Sequence, residues 1–460
     1  MMNTRGHIVF VALMGGALVA SPPAWADDLL SLYREAVQAD ASYLAAQADN
    51  RARREAAPQA LARLLPNVAL SGSRFRNKAE GDSKTEYLTG AYAPQSGDIE
   101  YTNNSHNYTL GLRQPIFRPA AFMAWQQAKA QVDSVDATLL AAGQEVGTRL
   151  GEAYFQVLLA EAELEVTKAQ RDAYLTQLEY AQKAFQSGSG TRTDIDEARS
   201  QLDLAAAQTI QLQYQLNYAM DALRVIVDRP LSSLSRLSPS RMTLDPPDPA
   251  RLDDWVKTAE EVNPTLRALR AEQEAADKKI KAALSGHLPT LDFVARRSKS
   301  KSTSVSYPAK YENEYDKNTE YGIQFEVPLF AGGETQSGVR QAQAEKDKTE
   351  QQLEGTRRDI GLQVRKEFDG VAQGVYWVRA YEQAVKSAEL ALVSTRKGFM
   401  GGTRTTLDIL TAEQNLANAR RDLNRGRYDY VLSRLRLLAL VGRLGEEEIG
   451  RFNGWLEARQ

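Results

Sequence analysis

From Ala120 to Phe185 the chain contains no proline and is rich in Ala, Gln, Glu and Leu. Ala128, Val132, Val135, Leu139, Ala142, Val146, Leu150, Ala153, Val157, Ala160 and Leu164 recur there mostly at steps of four and three, a seam of small apolar residues that suits helix-on-helix packing. About 65 residues at 1.5 Å each make a rod of roughly 100 Å. Compact globular domains rarely need such a helix. Further helical segments are predicted over Asp27 to Leu65, Asp194 to Val227, Asp253 to Leu284, Glu334 to Lys397 and Leu407 to Val441.

Four short stretches change the period from near 3.5 to two. In Tyr321-Gly322-Ile323-Gln324-Phe325-Glu326-Val327 the apolar residues alternate with small or polar ones, and Tyr108, Leu110 and Leu112 alternate with Thr109, Gly111 and Arg113. Val68 to Phe75 and Leu291 to Ala295 are weaker versions. Polar inserts, Asn77 to Asn104 and Ser298 to Thr319, separate the members of each pair, so the pattern predicts two hairpins with long solvated loops. The pieces recur in order. Leu65-Pro66-Asn67-Val68 matches Leu288-Pro289-Thr290-Leu291, Gln114-Pro115-Ile116-Phe117 matches Val327-Pro328-Leu329-Phe330, and Gly190-Thr191-Arg192-Thr193 matches Gly402-Thr403-Arg404-Thr405. The chain reads as a tandem duplication with a period of roughly 210 residues.

Composition narrows the setting. The chain has 460 residues, no cysteine, and Lys+Arg 57 against Asp+Glu 59. Disulfides, thiolate metal sites and lipid attachment to cysteine are excluded, and the balanced charge gives nucleic-acid binding no support. Arg5, the apolar run Ile8 to Ala20 and the small-x-small site ending at Ala26 read as a cleavable signal peptide, since about 13 apolar residues are too few to span a bilayer. An exported chain with no later apolar span stays soluble outside the cytoplasm or enters a membrane as a β-barrel.

Four strands cannot close a barrel, because even eight leave room only for side chains. Exposed sheet edges demand partners, and closed symmetry supplies them. Three copies give 12 strands, continued by the helices as a trimeric tube. A competing reading is a periplasmic or surface coiled-coil structural protein that carries hairpins. His106 and His287 lack partners at ligand spacing, and Gly332-Gly333 is followed by neither phosphate-binding pattern.

The segment Gly402-Thr403-Arg404-Thr405-Thr406-Leu407-Asp408-Ile409-Leu410, continuing to Asn415-Leu416 and Ala419-Arg420, resembles the second periplasmic tip turn of the TolC family of outer-membrane channels. The Leu-Pro and Pro-x-Phe elements flanking the strands are similar to that family too, and Leu29 to Ala36 looks most like members serving type I secretion. The resemblance implies a fold that is mainly α with a small β part: a long coiled-coil helical barrel plus four strands per protomer in a trimeric 12-stranded transmembrane barrel. It divides the chain into a signal peptide at 1–26 and a first repeat at 27–228 with hairpin 67–115 and tip turn 187–193. An equatorial linker at 229–252, a second repeat at 253–441 with hairpin 290–328 and tip turn 398–405, and an equatorial tail at 442–460 follow. It implies no enzyme activity and no cofactor. Its implied partners are two further copies, outer-membrane lipid, a periplasmic membrane-fusion adaptor, and an inner-membrane ABC or RND transporter.

For the tip, the resemblance implies that Asp194, Asp196, Thr193, Arg404, Thr405 and Phe399 belong to a gate. Asp408 would form a ring of carboxylates that can bind a cation, and Gly190, Thr191, Arg192, Gly402 and Thr403 would meet the adaptor. Three departures stand out: the first turn lacks two residues present in other members before the matching aspartate, Phe399 stands where a network tyrosine would donate a hydroxyl, and Thr411 replaces a second ring aspartate. The residues alone permit a simpler role. Thr405 or Thr406 can cap the following helix with Asp408 in its first turn, and Thr193, Asp194 and Asp196 can do the same in the first half.

Overall fold

The computed structural model describes residues 27–85, 95–306 and 309–457; the signal peptide expected at 1–26 lies outside them. The first half comprises α1 (Leu29–Ala39), α2 (Ala41–Arg54), α3 (Ala56–Ala62), β1 (Asn67–Thr85), β2 (Gln95–Phe117), α4 (Pro119–Gln186) and α5 (Arg192–Val227). After a two-residue strand, β3 (Arg236–Leu237), come α6 (Leu252–Val262), α7 (Pro264–Leu284), β4 (Thr290–Ser306), β5 (Ala309–Glu326), α8 (Glu334–Met400), α9 (Thr406–Leu440), α10 (Glu446–Asn453) and β6 (Leu456–Glu457). Helices, two strands, a very long helix, a turn and a shorter helix thus occur twice in the same order.

Two helices expected to be continuous are broken by local capping. Asp40 leaves helical geometry, and its carboxylate accepts the Tyr43 N–H at 2.8 Å, so the Asp27 to Leu65 stretch breaks there; a second break at Glu55, where no side chain caps, makes it three helices rather than one. Asn263 caps α7 by accepting from Thr265 N–H at 3.0 Å, and Pro264 at the first helical position fixes the break within Asp253 to Leu284.

β1, β2, β4 and β5 form one antiparallel sheet in that order. The ladders run far into the polar inserts: Lys78 pairs with Thr102 and Ser298 with Asn318. The expected solvated loops are therefore mostly strand. Polar side chains on both faces erase the hydrophobic alternation, while the backbone groups still pair.

The long helices lie side by side, α4 packing on both α5 and α9, and α8 on α9. The main core sits at mid-height, where α1, α6, α10 and the β3–β6 ladder wrap the rods. Buried Tyr154 on α4 donates its hydroxyl to Ser235 O at 2.8 Å, and Tyr430 on α9 donates to Asp245 O at 2.8 Å. Arg229 bonds Asp27 at 2.6 Å and Glu35 at 2.5 Å. The segment 229–252, expected as a linker, is thus a strap held at both ends and in the middle, carrying strand β3.

Helix α4 approaches α9 closely at Gly151, where a Cβ would run into the Leu435 side chain. Gly151→Val should cost on the order of 1–3 kcal/mol by overpacking. A thermal melt should show the loss, and Leu435→Ala in the same background should recover part of it.

Candidate functional site: the paired turns at the helix ends

The two helix-to-helix turns share one construction. In the first, Ser187 N–H bonds Lys183 O at 3.1 Å, Gly188 N–H bonds Phe185 O at 3.0 Å, and Ser189 N–H bonds Ala184 O at 2.9 Å. The second repeats this with Gly401 to Lys397, Gly402 to Phe399 and Thr403 to Gly398. Gly188 and Gly402 hold positive φ of 78° and 70°, a conformation glycine adopts without a Cβ penalty.

Each following helix opens with a capping box. Asp194 N–H donates to Thr191 Oγ1 at 3.2 Å while Thr191 N–H donates to Asp194 Oδ2 at 2.9 Å. Thr405 and Asp408 reproduce the pair at 3.2 and 2.8 Å. Both aspartates satisfy orphan donors at a helix N-terminus. This geometry corrects the sequence match of Gly190-Thr191-Arg192-Thr193 with Gly402-Thr403-Arg404-Thr405. Structurally, Thr191 answers to Thr405 and Asp194 to Asp408, a slip of two positions, and Thr193 lies inside α5 rather than capping it. The Gly-Thr-Arg-Thr string misleads because the Schellman-type turn selects glycine at Gly188, not at Gly190.

The arginines of the turns pair locally. Arg192 meets Asp196 at 3.3 Å, and Arg404 meets Asp408 at 3.6 Å, each one helical turn away. Asp408 therefore both caps and pairs, whereas Asp194 and Asp196 divide those roles. These are exposed contacts of small energetic value.

Other contacts bring the two turns together. Phe399, in α8, packs edge-on against Tyr180 of α4 with ring centroids 5.4 Å apart. Leu410 joins Tyr174, Leu178, Ala181, Ile195 and Ala198 in a small core between the halves. Within the second half, Arg396 of α8 pairs with the largely buried Glu413 of α9 and ties together the two helices that flank the second turn. The Asp194 carboxyl is held below the usual range first by the Thr191 hydroxyl, then by the Thr191 backbone N–H, and also by the Thr406 hydroxyl across the turn. Sequence reasoning offered Thr406 only as a cap and passed over Glu413; nothing in one turn's sequence says that Thr406 faces Asp194 of the other.

The Thr405 backbone N–H and hydroxyl likewise hold Asp408 below the ordinary carboxyl value, with Arg404 helping. A lowered folded pKa stabilises above the unfolded value, near 4 for aspartate, and that contribution is lost as pH falls through the folded pKa. Both helix starts should hold at pH 5 and loosen progressively as pH falls below the ordinary aspartate value, near 4. Hydrogen exchange at 191–195 and 405–409 across an acid titration, corrected for intrinsic rates, checks this; protection that does not fall at any acid pH would contradict it.

A second constellation joins sheet to rods. Asp292 on β4 is 2% exposed and receives Arg113 Nη2 of β2 at 2.6 Å and, from just before α4, Arg118 Nε at 2.8 Å and Nη2 at 2.6 Å. In the first turns of α4, Phe122 and Trp125 pack with ring centroids 5.8 Å apart and planes tilted by 58°. The sequence signal available was an acid between Leu291 and Phe293 in an otherwise apolar stretch. Among the described residues, no helix is long and apolar enough to cross a membrane.

Comparison with known proteins gives concordant results. A family model described as outer membrane efflux protein matches residues 32–227 and again residues 255–443. The chain is 33% identical over 437 residues to the alkaline protease secretion protein AprF of Pseudomonas aeruginosa, covering 94% of this chain and 88% of that one. It is 29% identical over 449 residues to the outer membrane protein TolC of Vibrio cholerae, covering 98% of both chains. Among solved structures, the outer membrane protein VceC of Vibrio cholerae superposes with a TM-score of 0.73 at 21% identity, over 90% of this chain and 96% of that one.

Proposed function

This chain belongs to the outer membrane efflux protein family, and from that premise we propose that three copies form an exit duct exporting proteins by type I secretion. The protein is a channel of the Gram-negative outer membrane with its helical part in the periplasm, and not an enzyme. An inner-membrane ABC transporter and a periplasmic adaptor supply energy and connection in this reading. The relative AprF, named for alkaline protease secretion, favours protein as cargo.

One observation carries the trimer: both layers of the protomer end in open edges. β1 and β5 are the outer strands of the sheet, each with one unpaired side. In the helical layer, α5 and α8 are the outer members and bare large apolar side chains, Ile210, Tyr214, Tyr218 and Val225 on α5 and Leu362, Tyr376, Trp377 and Leu390 on α8. A layer with two sticky edges closes by cyclic symmetry, and three protomers bring the strands to 12.

At the periplasmic end, the linked turns form the gate. Dilating the tube must shear the Tyr180–Phe399 contact and the Asp194–Thr406 contact, while the capping boxes keep each helix start intact. Three symmetry copies of Asp408 near the axis make a negative constriction that attracts cations. Asp408→Asn should weaken pore block by multivalent cations by about tenfold. An unchanged block in bilayer recordings would remove the ring from the account.

The word efflux in the family description supports a second reading, which we take as export of small molecules with an RND-type transporter as partner. Deleting the gene separates the two. Type I secretion predicts loss of a secreted protein from the medium with drug susceptibility unchanged; the reverse outcome would replace it with efflux.

A further inference from the structure

The outward face of the sheet changes character partway along the strands. Register places Val68 opposite Leu112 and Leu70 opposite Leu110, and it sets Ala295 opposite Tyr321 and Phe293 opposite Ile323 on the same face. Farther from the helices, that face carries Arg74 and Arg76 on β1, Arg297 and Lys299 on β4 and Lys317 on β5, all exposed. His106 of β2 sits opposite Arg74. Asp316, Glu320 and Glu326 stand at odd spacings from Lys317 and so face the other way, whereas Glu80 of β1 lies on the cationic face two rungs beyond Arg76, paired with Lys78 at 3.2 Å. Among the described residues, the rungs through Leu70 and Gly72, which include Arg297, Lys299 and Lys317, hold no acid on this face.

The position of this belt fits a membrane boundary. From Phe117 to Tyr108 the apolar band rises about 30 Å along the strand, or about 23 Å along the membrane normal for a strand tilted by about 40°. An outer-membrane barrel presents an apolar band of about 25 Å. The cations therefore begin at the far headgroup level, on the side away from the periplasmic helices. They begin on different rungs of different strands, at Arg74 on β1 but at Arg297 on β4, one rung below Lys299 and two below the Arg74 rung. Tilted strands produce such a stagger when the boundary is level.

Resting on the reading of this sheet as part of a membrane barrel, we propose that the belt binds the phosphates of an anionic glycolipid in the outermost leaflet. Guanidinium groups match phosphate oxygens bidentately. Lys299 and Lys317 on adjacent strands lie about 5 Å apart, successive cations on one strand about 7 Å apart, and the β1 arginines stand two strands, about 10 Å, across from β4, spacings that suit a lipid carrying more than one phosphate.

The test uses the full chain purified in detergent, with lipid A as probe against the same lipid after removal of its phosphates. Wild type binds the phosphorylated form at least about tenfold more tightly at low salt, and the preference shrinks as salt rises. The fourfold variant Arg74→Gln, Arg76→Gln, Arg297→Gln, Lys317→Gln loses the preference but still conducts in bilayers. Should that variant fail to fold, Arg74→Gln and Arg297→Gln singly each lower the preference by about threefold. Equal binding of both lipids by wild type, or an unchanged preference in the variants, overturns the proposal. Wild-type protein that conducts yet shows no phosphate preference sinks the belt alone, whereas protein that never inserts into bilayers sinks the barrel reading and the belt with it.

Discussion

Asp292→Ala is expected to cost roughly 2–4 kcal/mol per protomer and to abolish heat-resistant trimers on gels. The carboxylate is buried and collects guanidinium groups from two different elements: Arg113 within β2, and Arg118 at the point where the chain leaves the sheet for α4. Removing it leaves two cations facing each other in the space it filled. The flanking strand residues stay paired, so the loss falls on the angle between sheet and rod, on which three protomers must agree to close. Asp292→Asn keeps the shape and part of the bonding and should lose about half as much. Wild-type gel mobility and melting for Asp292→Ala would show that the junction is held elsewhere, for example by the Gln114 side chain bonded to Leu64 O at 3.1 Å.

The second large effect concerns the open edges of the helical layer. Tyr214 and Tyr218 on α5 are 71% and 69% exposed in the single protomer, one helical turn apart. In the proposed trimer they would meet the α8 edge of the next copy, where Tyr376 and Trp377 are 67% and 56% exposed in the single protomer. Aromatic residues of this kind are worth about 2 kcal/mol or more each when they anchor an interface. Replacing both by arginine also buries unmatched charge, and the symmetry triples every loss. The Tyr214→Arg, Tyr218→Arg protein should run as a monomer in detergent with its helix content preserved. A trimer of wild-type stability would place the contact surface elsewhere on the protomer.

Legibility followed the physics of each element. The rods were readable because seam residues such as Val146, Leu150, Val157 and Leu164 must be buried, and all four are at 4% exposure or less. The apolar halves of the strands were readable by alternation, but their polar extensions were not. A ladder such as Asn77 with Asn103 needs only backbone groups, and its side chains carry no periodic signal. Breaks at Asp40 and Asn263 were overlooked because a single side-chain cap outweighs a helical period that continues across it.

At the tip, residue types were informative and alignment was not. The sequence offered Asp194 and Asp408 both as helix caps and as gate residues, and the capping boxes show the first of these roles plainly. The Gly-Thr-Arg-Thr match was two positions out of step, since only the backbone conformation at Gly188 identifies the turn. Cross-turn partners such as Thr406 belong to tertiary structure. Asp292 stood in view as a lone acid in a strand, but its two arginines are 174 and 179 residues away in the chain.

In the proposed assembly this chain encloses a pore only as three copies. Current across a planar bilayer exposed to the purified full-length protein is the decisive measurement. Discrete, uniform conductance steps are expected from the trimer fraction and none from the Tyr214→Arg, Tyr218→Arg monomer. A silent trimer, or equal steps from the monomer, would contradict it.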